Sequence, residues 1–163
     1  MHRRILATAL LAPAALLAQG TTRDSVARPS VDTAHAAMER RGAEVMGVDQ
    51  ATSTHMFRTL PSGGIIELQR TGDDSAGMRA VRAHLRGIAQ AFSAGDFNAP
   101  SYIHMTSVPG AQVMAERGRL IRYDYHDLPR GGALRISTVD PIARKAVWEF
   151  ITFQQHEHMA GEP

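Results

Sequence analysis

The chain has 163 residues, with 18 basic and 16 acidic side chains and no cysteine. Without cysteine the protein has no disulfide, no thiolate metal ligand and no nucleophilic thiol. The formal net charge of +2 comes from Arg3 and Arg4, so the rest of the chain is neutral. A nucleic-acid partner, which a basic surface would favour, is therefore not expected.

The N-terminus has the order of charged, apolar and small residues that is typical of a secretory signal peptide. Arg3-Arg4 is followed by an apolar run from Ile5 to Leu17 and then by Ala18-Gln19-Gly20. No later stretch approaches the roughly 20 apolar residues of a membrane span. We therefore expect residues 1–20 to be removed, and a periplasmic or secreted protein without a membrane span.

The segment after the predicted signal peptide is polar, and an amphipathic pattern follows it. We interpret residues 21–33 as a linker. Ala34, Ala37, Met38 and Val45 recur at helical spacing, and Gly47 is suited to end this helix. Residues 34–163 are enough for one domain with a core and too few for two.

Two stretches share the same turn residues and strand pattern. Leu60-Pro61-Ser62-Gly63-Gly64 and Leu128-Pro129-Arg130-Gly131-Gly132 each follow proline with paired glycines, which favours a hairpin turn with a positive φ. In the strands that follow, Ile66 and Leu68 match Leu134 and Ile136, 68 residues later. Each stretch is therefore predicted to be a β-hairpin.

A helix is predicted after each hairpin. After the first, an apolar stripe ends near Gly95, and its members are Val81, Leu85, Ile88 and Phe92. At the start of the second helix, Asp140 is placed to cap the helix and Pro141 to occupy its first position. A second stripe then runs to about His156: Ala143, Ala146, Val147, Phe150 and Gln154.

These patterns predict an α+β fold built from two ββα repeats. Repeat one covers residues 55–95, the connecting loop 96–120 and repeat two 121–158. One hairpin with one amphipathic helix cannot bury its apolar face alone, so the two units are expected to form a four-stranded antiparallel sheet. The helices should pack on one face of that sheet, with the N-terminal helix added.

Several short motifs resemble a family of small exported bacterial proteins. They are Met46-Gly47-Val48-Asp49-Gln50, Thr54-His55-Met56-Phe57, Gly95-Asp96-Phe97 with Pro100, Ile103-His104, and Phe153-Gln154 with His158 and Gly161. The resemblance spans most of the chain after the signal peptide. It implies one exported domain and no particular activity.

Some members of that family carry the label aspartate carbamoyltransferase, which does not fit this chain. The chain is much shorter than such a catalytic chain and has no Ser-Thr-Arg-Thr phosphate-binding loop. It also has Met56 and Trp148 at two positions where the family usually has histidine. Any role that those two histidines share in the family is not carried over.

Histidine and methionine are the candidate metal ligands. Three histidines, His55, His104 and His158, are each followed directly by methionine. In an exported protein without cysteine, imidazole and thioether are the available ligands for copper. The predicted metal set is His55, His104, Met105 and His158. The alternative is a scatter of surface and core-edge histidines, because neighbours on a strand point to opposite faces.

The long connecting segment is the first place where a ligand site is expected, because such loops are often functional. His104 is its best candidate, and the wider predicted ligand-binding set is His55, His104, Asp49, Asp96 and Trp148. The favoured function is a non-catalytic binding protein for a metal ion, such as copper, or a small ligand. An exposed Trp148 would instead indicate a protein-interaction module or a homo-oligomer.

An enzyme is the third alternative. The sequence has no Gly-x-Ser-x-Gly elbow, no His-Glu-x-x-His pair, no phosphate-binding loop and no dinucleotide fingerprint. What remains for catalysis is general acid and base chemistry by histidine and aspartate, with no substrate class indicated.

Overall fold

A computed structural model describes residues 31–159, which contain five α-helices and a four-stranded antiparallel sheet. The helices are α1 (Val31–Met46), α2 (Ser75–Ser93), α3 (Asn98–His104), α4 (Ala111–Glu116) and α5 (Pro141–Met159). The strands are β1 (Ser53–Leu60), β2 (Gly63–Arg70), β3 (Arg122–Leu128) and β4 (Gly131–Ser137). The predicted α+β class, with its N-terminal helix, is confirmed.

The sheet has the strand order β1-β2-β4-β3, so β2 and β4 are central and β1 and β3 are the edges. One row of directly opposed residues crosses all four strands: Phe57, Ile66, Leu134 and Tyr125. Since side chains alternate along a strand, this row defines the face that also carries His55 and Leu68. A shared apolar row explains why the two hairpins join into one sheet.

The helices α2 and α5 cover the face of the sheet that carries this row. Helix α5 packs on β1 and β2, while α2 packs mainly on β3 and β4. The core between them contains Leu85, Phe92, Phe150 and Ile151, all 2 % exposed or less. The opposite face is polar, and Arg58 pairs there with Glu67 at 2.9 Å. The alternation of apolar and polar side chains along each strand therefore decides which face of the sheet the helices bury.

The paired glycines are needed for close approach and not, as the sequence suggested, mainly for positive φ. Pro61-Ser62 and Pro129-Arg130 form the two turns, and only Gly63 of the four glycines has a positive φ, of 146°. A Cβ on Gly132 would lie 2.6 Å from the Tyr125 ring. The expected positive φ is therefore found at the first hairpin, at Gly63, and at neither glycine of the second.

Helix α5 begins as predicted and ends later. Its N-cap Asp140 accepts a hydrogen bond from the Ala143 N–H at 2.7 Å. The helix continues to Met159, beyond the predicted end at His156, and therefore includes His158. Helix α1 likewise begins at Val31, inside the predicted linker. The predicted signal peptide, residues 1–20, lies outside the described residues.

The expected long loop over residues 96–120 is largely helical. It contains α3, α4 and a short 3₁₀ helix, Gly118–Leu120. Met105 has a left-handed backbone with φ 52°, and it ends α3. Across residues 31–159, no helix combines the length and the apolar character needed to cross a membrane.

Candidate functional site

Three elements that are distant in sequence bring three histidines together. His55 lies on β1, His104 is the last residue of α3, and His158 lies near the end of α5. The ring centroid of His158 is 5.4 Å from that of His55 and 5.4 Å from that of His104. We call these three residues the histidine cluster. All three belong to the metal set that the sequence predicts.

Strand alternation and helix length explain this convergence. His55 has the same parity on β1 as Phe57, so both side chains face the helices. The His158 ring stacks on Phe57 with centroids 5.1 Å apart. It reaches this position only because α5 extends past His156. The stack holds the imidazoles of His55 and His158 beside an apolar ring.

The side chain of His104 is buried and hydrogen-bonded, and the residue ends helix α3 instead of lying in the loop that the sequence predicted. Its side chain is 1 % exposed, and its Nε2 lies 3.0 Å from Oε1 of Gln154. Its Nδ1 has no hydrogen-bond partner among the described residues and lies 3.8 Å from the Glu157 carboxylate. The Nε2 of Gln154 is also buried without a partner there. Two polar atoms beside the cluster are thus unsatisfied.

Two members of the histidine cluster, His55 and His158, line a small pocket on the helix-facing side of the sheet. This inner pocket has a volume of about 80 Å³. Its polar side chains are Gln50, His55, His84, Gln154 and His158. Its other large lining side chains are apolar: Met46, Phe57, Ile66, Leu68, Leu85, Ile88, Phe92, Ile103 and Phe150. None of the described residues that line it is an acid, an arginine or a lysine.

A larger cleft lies outside the inner pocket, between the free edge of β1 and α1. This outer cleft has a volume of about 680 Å³. Six consecutive residues of β1, Ser53 to Arg58, form one side, and His35, Met38 and Glu39 of α1 form another. Gln50, His55, Phe57 and His158 line both spaces. These four residues therefore form the boundary between the cleft and the pocket.

Burial keeps the imidazoles at this boundary neutral. Burial, with a smaller effect from His84, lowers the pKa of His55 from 6.5 to about 4. Burial and then the neighbouring His55, His104 and His35 lower the pKa of His158 to about 3. At neutral pH each ring therefore offers one N–H donor and one acceptor nitrogen.

His84 and His104 also have lowered pKa values, with burial as the first cause in both. The hydrogen bond to the Val45 backbone partly opposes the shift of His84. For His104 the opposing groups are Gln154 and then Glu157. The site is thus a group of largely neutral imidazoles, which suits hydrogen bonding to an uncharged ligand.

His104 and four other predicted site residues line neither the pocket nor the cleft. Asp49 caps the short 3₁₀ helix Gln50–Thr52, and Asp96 accepts from the Asn98 N–H at 2.9 Å. Met105 is 70 % exposed. Trp148 is 37 % exposed, and its Nε1–H donates to the Leu60 carbonyl oxygen at 2.8 Å, so this indole holds the first hairpin turn.

The predicted metal set is assembled only in part. His55, His104 and His158 converge, while Met105 points elsewhere and His104 is engaged by Gln154. Within residues 31–159, no group of three or more histidine and carboxylate side chains is arranged to hold a metal ion. Copper binding therefore stays a prediction of the sequence.

Gln154 and His35 are site residues that the sequence did not predict. Gln154 is 5 % exposed and falls on the apolar stripe of α5. A polar residue on a buried stripe is a signal that could have identified it, because a buried amide needs partners. His35 had no comparable signal, since its place in the cleft depends on how α1 packs.

Comparison of the chain with protein-family models, with curated proteins and with solved structures finds no match. The geometry of the site is therefore the basis for the function proposed below.

Proposed function

We propose that this is an exported binding protein without catalytic activity, whose ligand enters the outer cleft and is held at His55 and His158. The ligand is an organic molecule with an uncharged group for the inner pocket. One observation carries the proposal. The outer cleft and the apolar inner pocket meet at two neutral imidazoles, the Phe57 ring and the Gln50 amide.

The composition of the site is that of a ligand pocket. Binding sites for small molecules are mostly apolar, with a few polar groups that orient the ligand. Here the apolar walls come from the sheet and from helices α1, α2, α3 and α5, and the polar Gln50, His55 and His158 lie at the boundary. The unpaired Nε2 of Gln154 is a donor inside this wall. A ligand that accepts from it would satisfy a buried group that otherwise costs about 1–3 kcal/mol.

The pKa values favour binding over acid–base catalysis. A general base works best when its pKa lies near the working pH. Imidazoles with pKa values of about 4 and about 3 are weak bases at neutral pH. Neither Asp49 nor Asp96 lines the pocket or the cleft, so neither assists His55 as the third alternative requires.

Export rests on the N-terminal pattern of Arg3-Arg4, the apolar run and Ala18-Gln19-Gly20. Expression of the whole chain in a bacterium with two membranes, followed by N-terminal sequencing of the periplasmic fraction, tests it. A mature N-terminus close to residue 21 supports export. Full-length protein confined to the cytoplasm would contradict it.

Thermal melts with defined probes test the binding proposal. The probes are propionamide and phenol, which are uncharged, propionate, and Cu(I). A ligand that binds only the folded state raises the melting temperature with its concentration. We expect an uncharged probe to raise it in the wild-type protein. The rise should disappear in His158→Ala and persist in His126→Ala, a histidine replaced on the polar face of the sheet.

The same melts separate the organic ligand from copper. A rise with Cu(I) alone, lost in His158→Ala, would assign the site to the metal that the sequence predicts and overturn the organic ligand. Equal rises in the His158 and His126 variants would place the binding elsewhere. The absence of any rise with all four probes would contradict a binding site at the cluster.

A further inference from the structure

The backbone at the free edge of β1 faces the outer cleft. The Thr71 N–H donates to the Thr52 carbonyl at 3.0 Å, which sets the alternation of hydrogen bonds between β1 and β2. Every second residue of β1 then points its N–H and C=O away from β2. In the cleft these residues include His55 and Phe57, and β1 pairs with no other strand of the described chain.

The outer cleft has the length and the volume of a short extended chain. The six residues from Ser53 to Arg58 extend about 20 Å at the rise of a strand. Helix α1 packs mainly on α3, so its residues His35 and Met38 form the far wall without filling the edge. Unpaired strand edges bind extended peptides by adding a strand, with alternate side chains entering pockets.

The inner pocket is placed to receive one of those side chains. A residue that pairs with His55 or Phe57 points its own side chain to the same face of the sheet, which is the face of the pocket. About 80 Å³ is enough for a small side chain. No charged side chain of residues 31–159 lines the pocket, so charge complementarity selects an uncharged one. The free Nε2 of Gln154 calls for an oxygen acceptor.

We propose that the ligand is an extended peptide, which adds as a strand to the free edge of β1 and places a serine or threonine side chain in the inner pocket. This inference rests on the proposed binding function and names the class of ligand. Two independent features support it: the unpaired backbone of His55 and Phe57, and the uncharged pocket with its free amide donor.

Hydrogen exchange of backbone amides tests the strand addition. The probe is a five-residue peptide with threonine at its centre, acetylated and amidated at its ends, added to the whole mature protein. We expect the peptide to slow the exchange of the His55 and Phe57 amides at least about tenfold. The Tyr123 and Tyr125 amides point outward at the other edge, β3, and should not change.

Methylation of the peptide nitrogens gives a matched control. In an added strand, alternate N–H groups face β1 and the others face solvent. Methylating one alternate set should abolish the protection, and methylating the other set should leave it intact. If both sets behave alike, the peptide does not bind as a strand and the proposal is overturned.

Variants of the pocket and the peptide test the side-chain contact. Replacing the central threonine by valine should weaken binding about three- to tenfold, the range of one neutral hydrogen bond. In Gln154→Leu that difference should vanish, because the amide donor is gone. Central aspartate or lysine should bind at least about tenfold more weakly than threonine, because their charges have no partner in the pocket.

The outcomes separate this inference from the proposed function. If uncharged organic probes still bind at the cluster but no peptide protects His55 and Phe57, the strand addition is wrong and the binding function stands. If central aspartate or lysine binds as well as threonine, the assignment of the pocket is wrong. A valine-to-threonine difference that survives in Gln154→Leu would also contradict the proposed contact.

Discussion

The two edge strands of the sheet carry aromatic rings at corresponding positions, and the surroundings of the two rings differ. On β3, Tyr125 donates to Asp127 with the oxygens 2.5 Å apart, and Arg86 lies 4.5 Å above the Tyr125 ring. On β1, 68 residues earlier, Phe57 stacks on His158 and lines both the pocket and the cleft. On β3 the ring is therefore held by an acid and an arginine, whereas on β1 it lies beside a pocket and a cleft.

The difference lies in what surrounds the rings. Burial and the Asp127 hydrogen bond raise the pKa of Tyr125 to about 12, so its hydroxyl stays a donor within a paired network. At β1 the neighbours are imidazoles and an amide with unused hydrogen-bonding atoms. Two similar hairpins in one sheet therefore differ in the polar groups beside their edge strands, and we assign the proposed binding site to β1. That the two ββα units are internal repeats stays a prediction.

The largest expected effect is on the free energy of unfolding, and it differs between two leucines on the helix-facing side of the sheet. Leu134 is 0 % exposed between Ile66 and Tyr125, whereas Leu68 lines the inner pocket. Leu134→Ala should cost about 4–5 kcal/mol and Leu68→Ala about 2–3 kcal/mol, because Leu68 lines the pocket and Leu134 does not. Urea unfolding measures both. Equal losses would mean that the β1 side is packed as tightly as the centre of the sheet.

The second prediction concerns acid stability, which the β1 side should limit. The folded-state pKa values of His55 and His158 lie below the unfolded value of about 6.5, so the unfolded chain binds more protons in acid. Their contribution is fully present above pH about 6.5 and is lost as the pH falls toward about 4 and then about 3. Each unit of pKa depression corresponds to about 1.4 kcal/mol.

Urea unfolding at a series of pH values checks this loss. His158→Phe keeps a ring against Phe57 and removes one titrating group. The decline in the free energy of unfolding between pH about 6.5 and about 3 should therefore be smaller in this variant. An unchanged decline would show that other groups cause the acid sensitivity.

The third prediction tests the close strand approach that joins the hairpins. A Cβ on Gly131 would collide with the Leu68 carbonyl oxygen, whereas a Cβ on Gly87, in the middle of α2, meets no atom within 4 Å. Gly131→Ala should cost about 1–3 kcal/mol by overpacking. Gly87→Ala should stabilise by about 0.5–1 kcal/mol through helix propensity. Thermal or urea unfolding of the two variants measures both changes in stability. If Gly131→Ala leaves the stability unchanged, the register between β2 and β4 is contradicted.

The smallest expected effect is at Trp148, outside the site. Trp148→Phe removes the hydrogen bond to the Leu60 carbonyl and should cost about 1 kcal/mol. Binding of uncharged probes at the cluster should not change. A loss of binding without a loss of stability would instead favour the alternative that Trp148 belongs to an interaction surface.

The fold was largely predictable because its signals are local. The proline and glycine turns, the alternation at Ile66 and Leu134, and the Asp140-Pro141 helix start each act over a few residues. The extent of α5 was not predictable in the same way, because His156 and His158 have no apolar pattern. Their helical conformation is fixed by the packing of His158 against Phe57.

The site was predictable only as a set of residue types. Histidine and methionine in a cysteine-free chain pointed to His55, His104 and His158, which do converge. Which side-chain nitrogen atoms are free to bind a ligand depends on tertiary contacts, such as the hydrogen bond between His104 and Gln154. The exposed Met105 and the structural Trp148 show the same limit, since sequence alone does not reveal which side of a helix end or turn is covered.

The most direct test follows the imidazole nitrogen resonances of His55 and His158 while propionamide is added to the mature protein. Because both rings lie at the boundary of the cleft and the pocket, the account predicts saturating shifts at these two residues and none at His126. Shifts of His126 alone, or no shift at any histidine up to a concentration at which other probes bind, would contradict a binding site at the histidine cluster.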